Sequence, residues 1–333
     1  MNKKLIALAV AGACVAPTAM AQSANPVTLY GRIYATLESI EVSGGTSPIS
    51  NRTRVADQSS YLGVRGTEDL GGGLKAFFQL ETGFPVDNST SSFASRNSAV
   101  GLQGGWGSIL MGRWDTPMKT TQTAVDPWGD LTNGDITASG LDQGNFSRRE
   151  TNSVQYWSPN WSGFSVRLLY TANENKTATT NPNTIGASLA YSKGPIYVAY
   201  AYEKHKDVAA NVSEEGNALA ASFVFGAFKV AGQYGEYERD GQPKDKSYMV
   251  AGTWNIGKHA IIGTWANAEA GSADCDHWTV GYNYNASKRT TLIAQWAQIE
   301  NSAGMNCNFG SNSVSAGTGG ELKGASIGVK HVF

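Results

Sequence analysis

The stretch VTLYGRIYATLE, starting at Val27, places Val27, Leu29, Ile33, Ala35 and Leu37 on one face of an extended strand. Thr28, Tyr30, Arg32, Thr36 and Glu38 fall on the other. The pattern recurs. Phe164, Val166, Leu168 and Tyr170 oppose Ser165, Arg167 and Thr171, while Trp278, Val280, Tyr282 and Tyr284 oppose Thr279, Gly281 and Asn283. In SYMVAGTWNI, Tyr248, Val250, Trp254 and Ile256 share a side, with aromatics near both ends, as a membrane-interface girdle requires. Such segments run to about ten residues and are punctuated by Gly, Asn, Asp, Ser and Pro. Beyond the first residues, the longest mainly apolar stretch is ALAASFVFGAF at 218–228, too short for a spanning helix. A chain of this kind crosses a membrane only as a closed barrel, which pairs every backbone group inside lipid. A secreted sandwich or propeller also alternates. However, its buried strips would be Leu, Ile and Val, whereas these are heavy in Tyr and Trp, and no propeller-type repeat is visible.

The first residues, MNKKLIALAVAGACVAPTAMA, run from Lys3 and Lys4 through a short apolar middle to Ala19-Met20-Ala21. This order is that of a secretory leader cleaved after Ala21, dividing the chain into a signal peptide at 1–21 and a mature region at 22–333. The apolar run is too short for an anchor. Cys14 lacks the Leu expected ahead of a lipoprotein acceptor. Without the two leader lysines, 24 basic residues face 27 acidic ones, a net charge of −3. The chain is no polycation, which removes nucleic acid from the partners.

Tight turns are expected at EDLGGG, GGWG, SPNWSG, SKGP, NIGK and ASKR. Longer polar segments are expected at 42–51, 84–95, 114–146, 172–183, 205–215, 239–245, 269–276 and 300–323. Short turns alternating with long loops give an all-β, 16-stranded antiparallel transmembrane barrel. Its last strand, ASIGVKHVF, is predicted to close the sheet against the strand near Val27. Phe333, the expected C-terminal assembly signature, then faces the lipid boundary.

On VTLYGRIY, SSYLGVRGTEDLGGGLKAFFQLETGF, RNSAVGLQGGWGSILMGRWDTPM, NSVQYWSPNWSGFSVRLLYT and the terminal GVKHVF, the chain resembles general diffusion porins of the Gram-negative outer membrane, of the beta-proteobacterial kind. The resemblance covers essentially its whole length. It implies a water-filled channel for small hydrophilic solutes and ions, association as a homotrimer in outer-membrane lipid, and a third long loop folded into the lumen. In such porins that loop carries carboxylates and faces a row of basic residues. Here the acids would be Asp126 and Asp130, and the basic row Arg32, Arg65, Arg96 and Arg149. Face parity makes Arg32 and Arg149 lumenal. It turns Arg96 outward with Val100 and Leu102 unless a bulge intervenes or the small Ala99 and Gly101 face a neighbouring subunit, and Arg113 sits where it would brace the loop base. Opposed acids and arginines across a narrow gap set a transverse field that sorts solutes without chemistry. Whether anions or cations gain is open, since wall arginines and loop acids pull in opposite directions.

Other functions fit less well. His205, His259, His277 and His331 lie at strand ends or in loops, read as solvated or interfacial, and no G-x-S-x-G turn accompanies them. EDLGGGLK lacks the Lys-Ser/Thr of a phosphate cradle, DPWGDLTNGD lacks calcium-loop spacing, and no cluster suits zinc. No enzyme or cofactor is therefore expected, and whether a structural cation binds stays open. An outer-membrane adhesin is the alternative, distinguished by a third loop that projects outward. Cys275 and Cys307, in the last two outer loops of an exported chain, are predicted to form a disulfide.

Overall fold

The computed structural model describes residues 27–88, 92–129, 132–136, 145–310 and 314–333. The expected leader at 1–21 and Asp130 lie outside them. The chain runs through β1 (Val27–Gly44), β2 (Ile49–Asp57), β3 (Tyr61–Gly71), β4 (Leu74–Gly83), β5 (Ser98–Gly104) and β6 (Gly107–Asp115). A short helix, α1 (Pro117–Thr123), precedes β7 (Arg149–Trp157), β8 (Phe164–Thr171), β9 (Asn183–Lys193) and β10 (Ile196–Ala209). Then come β11 (Val212–Phe225), β12 (Phe228–Arg239), β13 (Asp245–Ile256) and β14 (His259–Ala270). β15 (Ala273–Asn285), β16 (Thr290–Asn301) and β17 (Gly320–Val332) complete the sheet.

The seventeen segments make sixteen staves. β1 pairs with β3 from Val27↔Gly66 to Arg32↔Tyr61, and with β2 from Ala35↔Asp57 onward, so β2 and β3 are one stave. It breaks at Gln58-Ser59-Ser60, where Ser59 takes a positive φ of 59° and the Tyr34 N–H donates to Ser60 Oγ at 2.9 Å. All neighbours are antiparallel, and the ring closes by β1 on β17, from Arg32↔Val332 to Gly44↔Gly320. Phe333 extends this seam by exchanging two 3.1 Å backbone hydrogen bonds with Gly31.

Alternation sets the two faces. On β1, Leu29, Ile33 and Leu37 are exposed outward, whereas Tyr34, Thr36 and Glu38 are buried inward. At the short-turn rim Phe225, Phe228 and Trp254 stack with centroids 5.5 and 5.6 Å apart, forming part of an aromatic belt. The apolar stretch at 218–228 proves to be most of β11, the tight turn at Gly226 and the start of β12. Gly226 has φ +58°, a conformation that favours glycine.

Two expected loops are hairpins instead. β10 and β11 continue to within two residues of each other, around Ala210-Asn211, as do β14 and β15 around Gly271-Ser272. Strands that outrun the hydrocarbon become polar, so composition there reads as loop. Cys275 consequently sits inside β15 rather than in a loop.

Gly31 faces the terminal ring closely. A Cβ there would stand 2.6 Å from the Phe333 ring and 2.7 Å from the Tyr61 carbonyl oxygen, a backbone atom that cannot move aside cheaply. Gly31→Ala is therefore expected to destabilise the seam by roughly 1–3 kcal/mol, as overpacking does. The check is the temperature at which the folded band disappears on an unheated-versus-heated gel. No change would mean that Phe333 has room to swing away.

The lumen is not left to the wall. The described residues of loop 3 (116–148) lie within it, and those of the last loop (302–319) pack beside them. Val125 and Ile136 of loop 3 share a buried cluster with Met305, Cys307, Phe309, Val314 and Ala316 of the last loop and with Ile40, Val42, Ile299 and Leu322 of the wall. The Cys275–Cys307 disulfide ties this insertion to β15.

Candidate functional site

Loop 3 is fixed at three places. The Thr116 hydroxyl caps α1 by accepting from Lys119 N at 3.1 Å, and Pro at the first helical position suits the start. Met118 then buries among Phe146, Ala201, Ala218 and Tyr237 on the β10–β12 wall. Across the lumen Trp128 packs with Tyr34, Ala260, Ile262 and Ile293, and the Asn133 carbonyl is 2.9 Å from His277 Nε2. On its return Phe146 stacks on His205 at 4.7 Å. The described part of the loop therefore lies inside the barrel.

Opposite it is a basic wall. Arg65 lies over Tyr30 at 4.9 Å, and Arg32 and Arg96 lie over Tyr61 at 5.0 and 4.9 Å. Arg32 donates to the Ser59 carbonyl at 2.6 Å, using the backbone break in the second stave. Arg96 Nε pairs with Glu81 Oε1 at 2.6 Å, and its Nη1 donates to Ser59 Oγ at 2.7 Å. Arg149 Nε reaches Asn97 Oδ1 at 3.0 Å and Asp115 Oδ1 at 3.1 Å, and Lys119 Nζ reaches the same Asp115 oxygen at 3.2 Å. Arg113 and Arg167 belong to the same field, acting electrostatically on Arg149 and Asp115 respectively.

Six arginines of this wall thus stand together with Lys119 of α1, and Glu81 pairs with Arg96 while Asp115 pairs with Arg149 and Lys119. Burial holds the Lys119 amine below the ordinary lysine range, with Arg149 and Arg96 acting in the same direction against the pull of Asp115.

The structure brings Arg32, Arg65, Arg96 and Arg149 to one wall. Arg96 gets there because β5 begins only at Ser98. Arg96 lies before the ladder, after Ala94 at φ +54°, so the strand's parity does not apply to it. Asp126 is placed differently from the expected acidic row. Its Oδ1 accepts from Trp128 N at 2.9 Å and its Oδ2 from Ile136 N at 3.2 Å, making a clasp within loop 3. Burial, then the neighbouring Asp135 carboxyl, push its carboxyl well above the usual range. Glu81, Lys119, Arg167 and Tyr61 were missed by the sequence reading. Inward parity with Arg65 across β3 and β4 was the available signal for Glu81. His205 and His277, read as solvated or interfacial, are each only 1% exposed, because loop 3 covers them.

The chain matches the family described as Gram-negative porin over residues 7–304. It is 32% identical to outer membrane porin protein 32 of Delftia acidovorans over the full length of both chains. This chain belongs to the Gram-negative porin family. The porin is also 31% identical to the major outer membrane protein P.IB of Neisseria meningitidis serogroup B, covering 92% of this chain and 96% of that one. A solved structure, the anion-selective porin from Comamonas acidovorans, superposes with a TM-score of 0.81 at 27% identity over 93% of this chain and 100% of the other. OmpT of Vibrio cholerae, in a structure described as its trimer form, has a TM-score of 0.69 at 16% identity over 93% of this chain and all of the other, and shows the fold alone. The porin is a β-barrel channel of the outer membrane. Nothing in the comparisons supports the adhesin alternative, and the described part of loop 3 does not project outward.

Proposed function

We propose that the porin admits small hydrophilic solutes by diffusion with a preference for anions, filtered between the basic wall and loop 3. The observation that carries this reading is the gathering of Arg32, Arg65, Arg96 and Arg149 on one lumenal wall. Arg32, Arg65, Arg96 and Arg149 supply the field at reduced effective dielectric, and their cation–π and hydrogen-bond supports hold the guanidiniums in place. Asp126 enters through the shape of loop 3 rather than as a displayed charge. Its clasp leaves the loop's face toward the wall without that carboxylate. The selectivity described for the Comamonas protein supports the same sign. Passage makes and breaks no bond.

The reversal potential of a purified channel in a salt gradient tests this. Anion preference is expected, and a cation-selective sign would overturn it. A homotrimer is part of the reading, supported by the trimer form described for OmpT. The mass of the detergent-extracted complex decides it, and a monomer would sink it.

A further inference from the structure

Loop 3 returns to the barrel beside a cluster that the filter does not use. Glu150 of β7 and Glu203 and His205 of β10 bring their ligand-type atoms within 4.8 Å of one another. We propose that this cluster binds a divalent transition cation of the zinc class.

The histidine is prepared for it. His205 Nδ1 lies 2.7 Å from Glu214 Oε1, so a proton on Nδ1 is held by a carboxylate, while Nε2 faces Glu203 and is where a cation would replace the ring's second proton. Carboxylate–histidine pairs of this kind orient metal ligands. Nε2 lies 2.7 Å from Glu203 Oε1.

Glu203 is fully buried. Its second oxygen, Oε2, has no hydrogen-bond partner, although Thr116 stands beside the carboxylate. A buried anionic oxygen left unmatched is costly, and a cation is the group that matches it. Glu150 has an oxygen to give. Its bonds from Arg148 Nε at 2.7 Å, Arg148 Nη2 at 2.5 Å and Thr184 Oγ1 at 2.9 Å all fall on Oε1.

Charge counting agrees. With a cation in place of the His205 Nε2 proton, Glu150, Glu203 and Glu214 carry three negative charges, Arg148 offsets one, and a divalent ion offsets the remaining two. One imidazole with two carboxylates suits borderline first-row ions better than calcium or magnesium, which favour all-oxygen shells. A cavity of about 150 Å³ lined by Arg148, Glu150, Thr184, His205 and Lys206 gives the ion its approach.

The neighbours of the cluster are the anchors of loop 3. Phe146 stacks on His205, Asn145 donates to Glu214 Oε2 at 2.9 Å, and Thr116 N donates to the Arg148 carbonyl at 3.2 Å. A bound cation would therefore brace β7, β10 and the loop's return against one another.

The test uses the folded, detergent-purified porin dialysed against zinc chloride alone, with calcium chloride in parallel. Metal is counted by mass spectrometry and affinity measured by calorimetry. One zinc per chain and no retained calcium are expected. His205→Ala should lose that zinc. Glu203→Gln, which keeps the side chain's shape, should weaken binding at least about tenfold, and Glu214→Gln about tenfold to a hundredfold. His259→Ala and His331→Ala, at exposed histidines, should bind as the parent does. Folding of each variant is read from heat-modifiable gel mobility, so Glu203→Gln decides the matter if His205→Ala fails to fold. Absence of stoichiometric zinc in the parent, or undiminished binding in Glu203→Gln, would overturn the site.

Discussion

Replacing Arg32, Arg96 and Arg149 together with glutamine is expected to move the reversal potential in a salt gradient toward the cation side, while a conducting channel still forms. Each guanidinium is held by hydrogen bonds or aromatic faces, and Arg96 and Arg149 also pair with carboxylates. Glutamine keeps donors at these positions and removes the charge. A unit charge about 8 Å from a passing ion, at an effective dielectric of about 40, is worth roughly 1 kcal/mol. The sign is opposite for anions and cations, so each such charge is worth about 2 kcal/mol in selectivity, roughly thirtyfold, before screening, and removing three lowers the anion-to-cation permeability ratio by at least about tenfold in salt. Screening lengths of about 10 Å at 0.1 M salt make the effect larger in dilute solution. The competing possibility is that these arginines mainly hold the wall's shape. In that case conductance would fall or turn noisy with the reversal potential unmoved, and the charge argument would be lost.

Breaking the Cys275–Cys307 link should make the channel flicker between two conductance levels. The cysteines are 32 residues apart in sequence, and closing a loop of that size is worth roughly 3–4 kcal/mol in the chain-entropy account. Against this, Phe309, Val314 and Met305 stay buried, each contributing about 1.5–3 kcal/mol. The apolar seat outweighs the link, so the reduced loop remains mostly docked. Its released population nonetheless rises by about a hundredfold for each 3 kcal/mol lost. Cys275→Ser with Cys307→Ser should therefore flicker, and adding Phe309→Ser should hold the wider level open. The barrel's own stability should change little, because the ring of hydrogen-bonded strands does not depend on the loop. A steady conductance in the triple variant, equal to the parent's, would show that the last loop does not limit the bore.

The wall was readable because one constraint, lipid outside and water inside, acts on every residue of a strand. The alternation of β1 gives Arg32 its direction and the pairing of ASIGVKHVF with the first strand without further information. What the sequence concealed lies where that constraint lapses. Arg96 precedes its ladder, so counting by twos misplaces it. Asp126 is surrounded by backbone donors of its own loop, which no spacing rule reveals. Ile40 and Val42 face inward as apolar residues only because the last loop packs on them, and the burial of His205 depends on Phe146 arriving from another part of the chain. The Cys275–Cys307 link was anticipated, yet its position inside a strand was not, because a strand that extends past the hydrocarbon has the composition of a loop.

The contact between Gly31 and Phe333 joins residues about 300 positions apart, and no neighbouring stave can substitute for it. Until that contact forms, the outer edge of the first strand leaves a row of amides and carbonyls unpaired, which hydrocarbon does not tolerate. Completing the ring therefore depends on a long-range and slow pairing rather than on local hairpins alone.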